Sequence, residues 1–415
     1  MLRFSELVLL AVIAVKPAMD ALYAVPLAKY VYMLALICAG LLAYAGKGYA
    51  VASAERQEPS SGGGALAILF WTFFYASFLL LLSALNGGSL HEIFKIVSPF
   101  LFYLLVRGNV STPLRYAILA LALIVVFGNA ALLPIDYGWT YWGAVRTFKG
   151  FYYFKTDLAF SVVTSLLIIG MFFEFKPRPL FVLALLVGAA EVILSNARLN
   201  YLTFAVFLFF LMWRNGVSIP RLMGSALVIA AIAAVGLILY DPATYLSPFD
   251  ITNLGKFTQG RERIWDTLVN EGIMKADVVD ALFGRGMWFD WAIINEYGYG
   301  FRQANNAHNE LFHLVLTQGL LGLFLYFWLW VWITRDTLRR SHAPGDMAIA
   351  LLAITLLVLQ SLTAVVSSYA SKTWPVVLVM LMLQAQHISR VAAPVRSAPE
   401  ERAVAYGRSP TPTAT

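Results

Sequence analysis

The sequence predicts an all-α integral membrane protein of about twelve transmembrane helices, with one large non-cytoplasmic loop between the ninth and tenth. Three observations carry that expectation. The chain has 415 residues, of which 60% are hydrophobic and only 13% charged, whereas soluble domains run near 45–50% apolar and about 25% charged. Its mean hydropathy is +0.73, and a soluble protein of this size needs far more polar surface to cover its core. The apolar residues also fall into successive runs, many approaching the roughly 20 residues that a helix needs to cross hydrocarbon.

The expected spans are 5–24, 27–45, 64–84, 91–107, 115–134, 157–175, 179–195, 200–214, 221–240, 311–334, 346–368 and 373–390. The first, fourth, seventh and eighth are short or broken by Pro, Lys or Glu. The first run leads through Lys16-Pro17 into further apolar sequence, so it reads as a span and not as a cleaved leader. Residues 1–240 thus hold spans one to nine, 241–310 the large loop, 311–390 spans ten to twelve, and 391–415 a Pro-, Ala- and Thr-rich cytoplasmic tail expected to be disordered.

Orientation follows from the short loops. An even number of spans puts both termini on one side. With that side cytoplasmic, 16 of the 30 Lys and Arg lie inside, including Arg107, Arg115, Lys176, Arg178, Arg214, Arg335, Arg339 and Arg340. The formal charge of +7 is therefore a membrane-orienting charge, and no nucleic-acid partner is expected. Cys38 is the single cysteine, which excludes an intrachain disulfide and a Cys-based metal site.

Of the other 14, ten face the far side at or near the membrane: Arg146, Lys149, Lys155, Arg198, Lys256, Arg261, Arg263, Lys275, Arg285 and Arg302. They read either as solvated loop charge or as a pocket for an anionic lipid headgroup. Arginine suits phosphate because its planar fork donates two parallel hydrogen bonds. Arg146, Lys149 and Lys155 stand among Trp139, Tyr141, Trp142, Phe148, Phe151, Tyr152, Tyr153 and Phe154, more in keeping with an interfacial aromatic belt than a sugar platform.

The stretch 260–322 carries the chemistry. Asn305 and Asn306 are good N-cap residues ahead of an apolar run, which places His308 in the first turn of a spanning helix. At about 100° per residue, Gly319 returns to within about 20° of His308, with Gly322 on the same face as a seam for a neighbouring helix. An imidazole at a helix N-terminus, beside arginines, is held neutral and can accept a proton. The alternative is an interfacial histidine with Asn as a simple cap. His313, about 140° round from His308, is expected to be packed or lipid-facing. Glu191, inside a span, is expected to play a structural part with Arg198 as partner.

His308-Asn309, nine residues, then Gly319-Leu320-Leu321-Gly322 resembles the H-[N/S/Q]-x9-G-x-x-[G/T/Y] signature of the bacterial O-antigen ligases. Ahead of it, Gly260-Arg261-Glu262-Arg263-Ile264-Trp265, Leu282-Phe283-Gly284-Arg285-Gly286 and Ser195-Asn196-Ala197-Arg198 are similar to further elements of the O-antigen ligase and polymerase superfamily. The motifs cover roughly 195–325. The resemblance implies a multispanning, GT-C-like glycosyltransferase that needs no metal and no cofactor. It would move an undecaprenyl-pyrophosphate-linked glycan onto the outer-core sugar of lipid A–core, at the periplasmic face of a bacterial inner membrane, with inversion.

The roles it implies are specific. His308 would activate the acceptor hydroxyl, with Asn309 orienting it or capping the helix. Arg198, Arg261 and Arg263 would hold the pyrophosphate, and Arg146, Lys149, Lys155 and Arg285 would contribute to substrate binding. A lipid-linked glycan polymerase of the same superfamily is the nearest rival, and a twelve-span transporter or flippase the rival of a different class. Against the latter, no pair of Gly/Pro-broken spans stands in corresponding halves.

Overall fold

The computed structural model describes residues 7, 62–88, 90–107, 110–142, 145–217, 261–297, 307–341, 345–367 and 370–392. The expected spans at 5–24 (residue 7 apart), 27–45 and 221–240, and all but the first two residues of the tail, lie outside the described residues, as do Lys256, Arg302, Asn305 and Asn306. The described chain is mostly helical. Its helices are α1 (Gly62–Asn86), α2 (Leu90–Val106), α3 (Thr112–Leu123), α4 (Lys155–Phe172), α5 (Pro179–Leu194), α6 (Arg198–Arg214), α7 (Arg261–Thr267), α8 (Val278–Phe283), α9 (Phe289–Tyr297), α10 (Glu310–Ser341), α11 (Asp346–Ser361) and α12 (Ala370–Ala392).

Each expected span that falls among these residues is helical. Gly63–Asn86, Lys155–Phe172 and Glu310–Ser341 are long and apolar enough to cross a membrane, and Pro113–Gly128, Pro179–Leu194 and Asp346–Ser361 are shorter apolar helices. Prolines 113 and 179 stand in the first turns of α3 and α5, where a missing N–H costs nothing.

Two helices form the middle of the bundle. α4 is buried on nearly every side from Leu158 to Met171, and α12 is buried from Val376 to Ala385; a helix apolar all round belongs inside. α12 packs on α2, α3, α4, α10 and α11. The outer helices present large apolar side chains outward, among them Leu66, Phe70, Phe73 and Leu81 of α1, Leu186 of α5, and Phe324 and Val331 of α10. Patches of that extent suit lipid better than water.

The bundle has two chemically different ends. At one, Arg107 grips Asp336 through Nε (2.6 Å) and Nη2, and Tyr103, Thr337 and Gln384 complete a buried network. Arg115 caps the Phe172 carbonyl, and Arg214 lies over the Phe175 ring. The opposite end gathers the starts of α4, α6, α10 and α12 with the ends of α5 and α11. A two-stranded antiparallel hairpin, β1 (Trp139–Trp142) and β2 (Val145–Phe148), pairs Trp139 with Phe148 and Tyr141 with Arg146. It lies in the connection that leads into α4.

Helices α7, α8 and α9 form from the segment between α6 and α10. Ile264, Leu268, Ile293, Ile294, Ala307 and Leu316 make a small second core between the α7 region, α9 and α10. α10 is not one straight helix. Gly319 has φ 68° and ψ −175°, in a region essentially confined to glycine, and the helix breaks there. Two carbonyls exposed by the break are taken up from outside, Leu316 O by Arg285 N–H (3.0 Å) and Thr317 O by Gly286 N–H (3.0 Å). A Cβ on Gly319 would stand 2.3 Å from Leu282 O, and one on Gly284 2.4 Å from Gln318 N. The Leu282–Gly286 segment is thus a plug fitted against a broken helix. This corrects the expectation of a continuous face joining His308 to Gly319; Gly322 alone fits a helix seam, against Phe78 of α1.

Candidate active site

The site end is organised around the turn 307–309. His308 does not sit inside the first turn of α10 as expected. It immediately precedes the cap, with φ 48° in the left-handed region, where a residue with a Cβ is disfavoured. Asn309 is the cap: its Oδ1 accepts from Leu311 N–H (2.9 Å) and Phe312 N–H (3.2 Å), and its Nδ2 donates to Leu362 O (3.1 Å). Next along, Glu310 is fully buried, and its Oε2 accepts the amides of Val366 and Ser367 (3.1 Å for the latter). The histidine turn is therefore tied to the 362–367 turn that leads into α12.

Four cations from four other places in the chain form a linked group whose nearer members, Arg261 and Lys372, reach this turn. Arg261 opens α7 and Lys372 stands in the first turn of α12, and the charges of both act on the His308 ring. Arg198, at the start of α6, acts on Arg261, and both act on Lys155 at the start of α4. The local folding that places them is legible. Asn196, at φ 48°, turns the chain sharply between α5 and α6 and offers its carbonyl to Lys155 Nζ (3.2 Å). Asn200 Nδ2 reaches back to Thr156 O (3.3 Å), fastening the start of α6 to that of α4. Lys372 pairs with Asp157 of α4 at 3.4 Å.

The electrostatic result is a neutral imidazole. Burial first, then the charges of Arg261 and Lys372, push His308 down to about 4, with Asp290 opposing. Burial and the Arg198 charge also work against protonation of Arg261, but a guanidinium starts so high that it stays charged. A half-enclosed cluster of cations beside a neutral ring has the chemistry to hold an anion and to take up a proton.

The other expected site residues make different contacts. Arg263 is exposed. Two residues along a helix turn the side chain about 200°, so Arg261 and Arg263 cannot face the same site, whereas Trp265, about 40° from Arg261, can. Trp265 Nε1 donates to Ala307 O (3.1 Å), next to His308, which explains the spacing of the Gly-Arg-x-x-x-Trp element. Arg285 pairs with Asp280, donates to Lys275 O (3.0 Å) and lies over Phe289. Arg146 pairs with Asp136 (2.6 Å) over the Trp139 ring, and Lys149 lies over Tyr137.

Two groups have parts that the sequence left unassigned. Lys372 stands one residue before an expected span on the same side as His308, a position that could have flagged it. His313 is buried, the packed alternative of the two expected, and its Nδ1 stands 2.9 Å from Asp290 Oδ2. Glu191 is fully buried, and neither carboxylate oxygen has a hydrogen-bond partner among the described residues, Arg198 included. α5 ends at Leu194 and Arg198 starts the next helix, beyond the sharp turn at Asn196.

Fold and site together define a helical protein with membrane-like spans and a cationic cluster around one neutral histidine at one end of its bundle. No protein-family model matches the chain, and no curated protein matches it.

Proposed function

We propose that this protein is a glycosyltransferase that ligates an undecaprenyl-pyrophosphate-linked glycan to the outer-core sugar of lipid A–core, as an O-antigen ligase does. The observation that carries the reading is the meeting of a neutral His308 with Arg261, Arg198, Lys155 and Lys372 where several apolar helices end. In this account the termini are cytoplasmic, and the site lies at the periplasmic face of the inner membrane.

The acceptor hydroxyl gives its proton to His308 as its oxygen bonds to the anomeric carbon. The bond from that carbon to the pyrophosphate oxygen breaks, and the electron pair leaves with the undecaprenyl pyrophosphate. Attack from the opposite face inverts the anomeric centre. The donor brings its own leaving group, so neither cofactor nor metal is required; the cations stabilise the charge that grows on the departing phosphate, about 3–4 kcal/mol for a well-placed donor group. A base with an intrinsic value near 4 is weak at neutral pH. The bound diphosphate supplies negative charge that offsets Arg261 and Lys372 and raises it, so His308 is a stronger base with donor in place than without.

Purified protein in lipid vesicles, given lipid-linked glycan and lipid A–core without nucleotide or ion gradient, should yield ligated product. Glycan added instead to a second lipid-linked glycan would identify a polymerase. Movement of donor across the bilayer with no new glycosidic bond would replace the enzyme reading with transport.

A further inference from the structure

His308 needs to be held. Its left-handed backbone, at φ 48°, costs about 1–2 kcal/mol for a residue with a side chain, so the turn keeps its shape only if its neighbours are pinned. Asn309 is pinned by its capping bonds. Ala307 is pinned on both sides: its carbonyl accepts from Trp265 Nε1 (3.1 Å), and its N–H donates to Asp290 Oδ2 (3.0 Å). That same Oδ2 faces His313 Nδ1 at 2.9 Å. Asp290 and His313 are 1% and 5% exposed, so neither finds water as an easy substitute. Facing a carboxylate, which when ionised only accepts, Nδ1 of His313 is the donor.

We propose that Asp290 is the positioning residue for His308. One carboxylate oxygen, oriented by the His313 ring from the first turn of α10, holds the Ala307 amide and thereby sets the direction of the imidazole that follows. His313 acts at one remove, by keeping the carboxylate in place. The link crosses elements, because Asp290 belongs to α9, Trp265 to α7 and His313 to α10. The packing of α7 and α9 around the small second core is thus converted into the geometry of one side chain. A misplacement of about 1 Å at a reacting group commonly costs on the order of 100-fold in rate.

This inference rests on the glycan-transfer reading, and a double-mutant cycle separates the two. Single-turnover transfer is measured for the full-length protein in lipid and for its His308→Ala, Asp290→Asn and doubly substituted forms, alongside the KM for donor. Asp290→Asn is expected to lower kcat by about 10- to 100-fold with donor KM within about threefold. In the His308→Ala background it should cause no further loss, because its effect passes through a ring already removed.

Additive losses, or a fall confined to donor affinity, would overturn the proposal. If His308→Ala is inactive while Asp290→Asn matches the unsubstituted protein, the positioning role fails and the transfer mechanism stands; if His308→Ala is fully active, the mechanism itself fails. Hydrogen–deuterium exchange in the unsubstituted protein keeps the idea falsifiable should Asp290→Asn not fold. Strong protection of the Ala307 amide supports the proposal, and exchange at the rate of an open turn contradicts it.

Discussion

Arg261 and Arg263 stand two residues apart in one motif, yet the structure assigns them opposite consequences. Arg261→Gln removes a half-buried guanidinium whose charge reaches His308 and Lys155 and is itself felt against Arg198. At an effective dielectric near 20, a unit charge about 4 Å from a phosphate oxygen is worth about 4 kcal/mol. Only the part that strengthens as the leaving group gains charge enters the rate. Taking that part as about 3 kcal/mol, kcat falls by about 100-fold or more. Arg263→Gln removes an exposed charge on the far face of α7, screened by salt over roughly 8 Å, and should change kcat by less than about threefold. The assay is single-turnover transfer from radiolabelled lipid-linked glycan at saturating acceptor, with donor affinity measured separately. Equal losses for the two variants, or a larger one for Arg263→Gln, would refute the assignment of α7's inner face.

The broken helix predicts that Gly319→Ala is severely destabilising. The glycine-only backbone conformation contributes about 1–3 kcal/mol, and displacing the Leu282–Gly286 plug weakens two hydrogen bonds worth about 1 kcal/mol each; unfolding in mixed micelles measures the sum. Arg107→Ala leaves buried Asp336 with Tyr103 and the longer pair to Arg340 (3.4 Å) and should cost about 3 kcal/mol in the same assay, the low end for a broken buried pair, while apolar replacement of both partners costs much less. The pH profile follows from His308. Because its base form persists down to about pH 4, the acid limb of kcat/KM, which reports donor-free enzyme, should fall near 4 and not near 6.5. With donor bound, the same limb in kcat should lie higher, since diphosphate charge favours the protonated ring. An acid limb unmoved by donor would show that the diphosphate does not bind beside His308.

Much of the bundle was legible because apolar run length is a local property. The run 64–84 became α1 and 157–175 became α4, with ends within a few residues. The histidine, its capping asparagine and Arg198, Arg261 and Lys155 were legible as residue types at one expected membrane face. What escaped was whatever depends on contacts between distant segments. Helical rotation distinguishes Arg261 from Arg263, but only once the start of α7 is known. Gly319 reads as a packing glycine until the Leu282–Gly286 segment is seen to occupy the gap it opens. Asp290 and His313 lie 23 residues apart, and nothing in either local sequence announces that one carboxylate oxygen serves both a ring and a backbone amide. Lys372 carries no local mark of its role, because a lysine at the edge of a span is ordinarily a membrane anchor.

The central claim is that the cation cluster binds the diphosphate and stabilises its departure, while His308 takes the proton and contributes little to binding. The most direct test compares His308→Ala with the unsubstituted protein for equilibrium binding of undecaprenyl pyrophosphate and for glycan transfer. The account predicts binding unchanged within about twofold and kcat lower by about 100- to 10,000-fold, the range for loss of a general base. Transfer within a few-fold of the original, or a loss explained entirely by weaker binding, would contradict it.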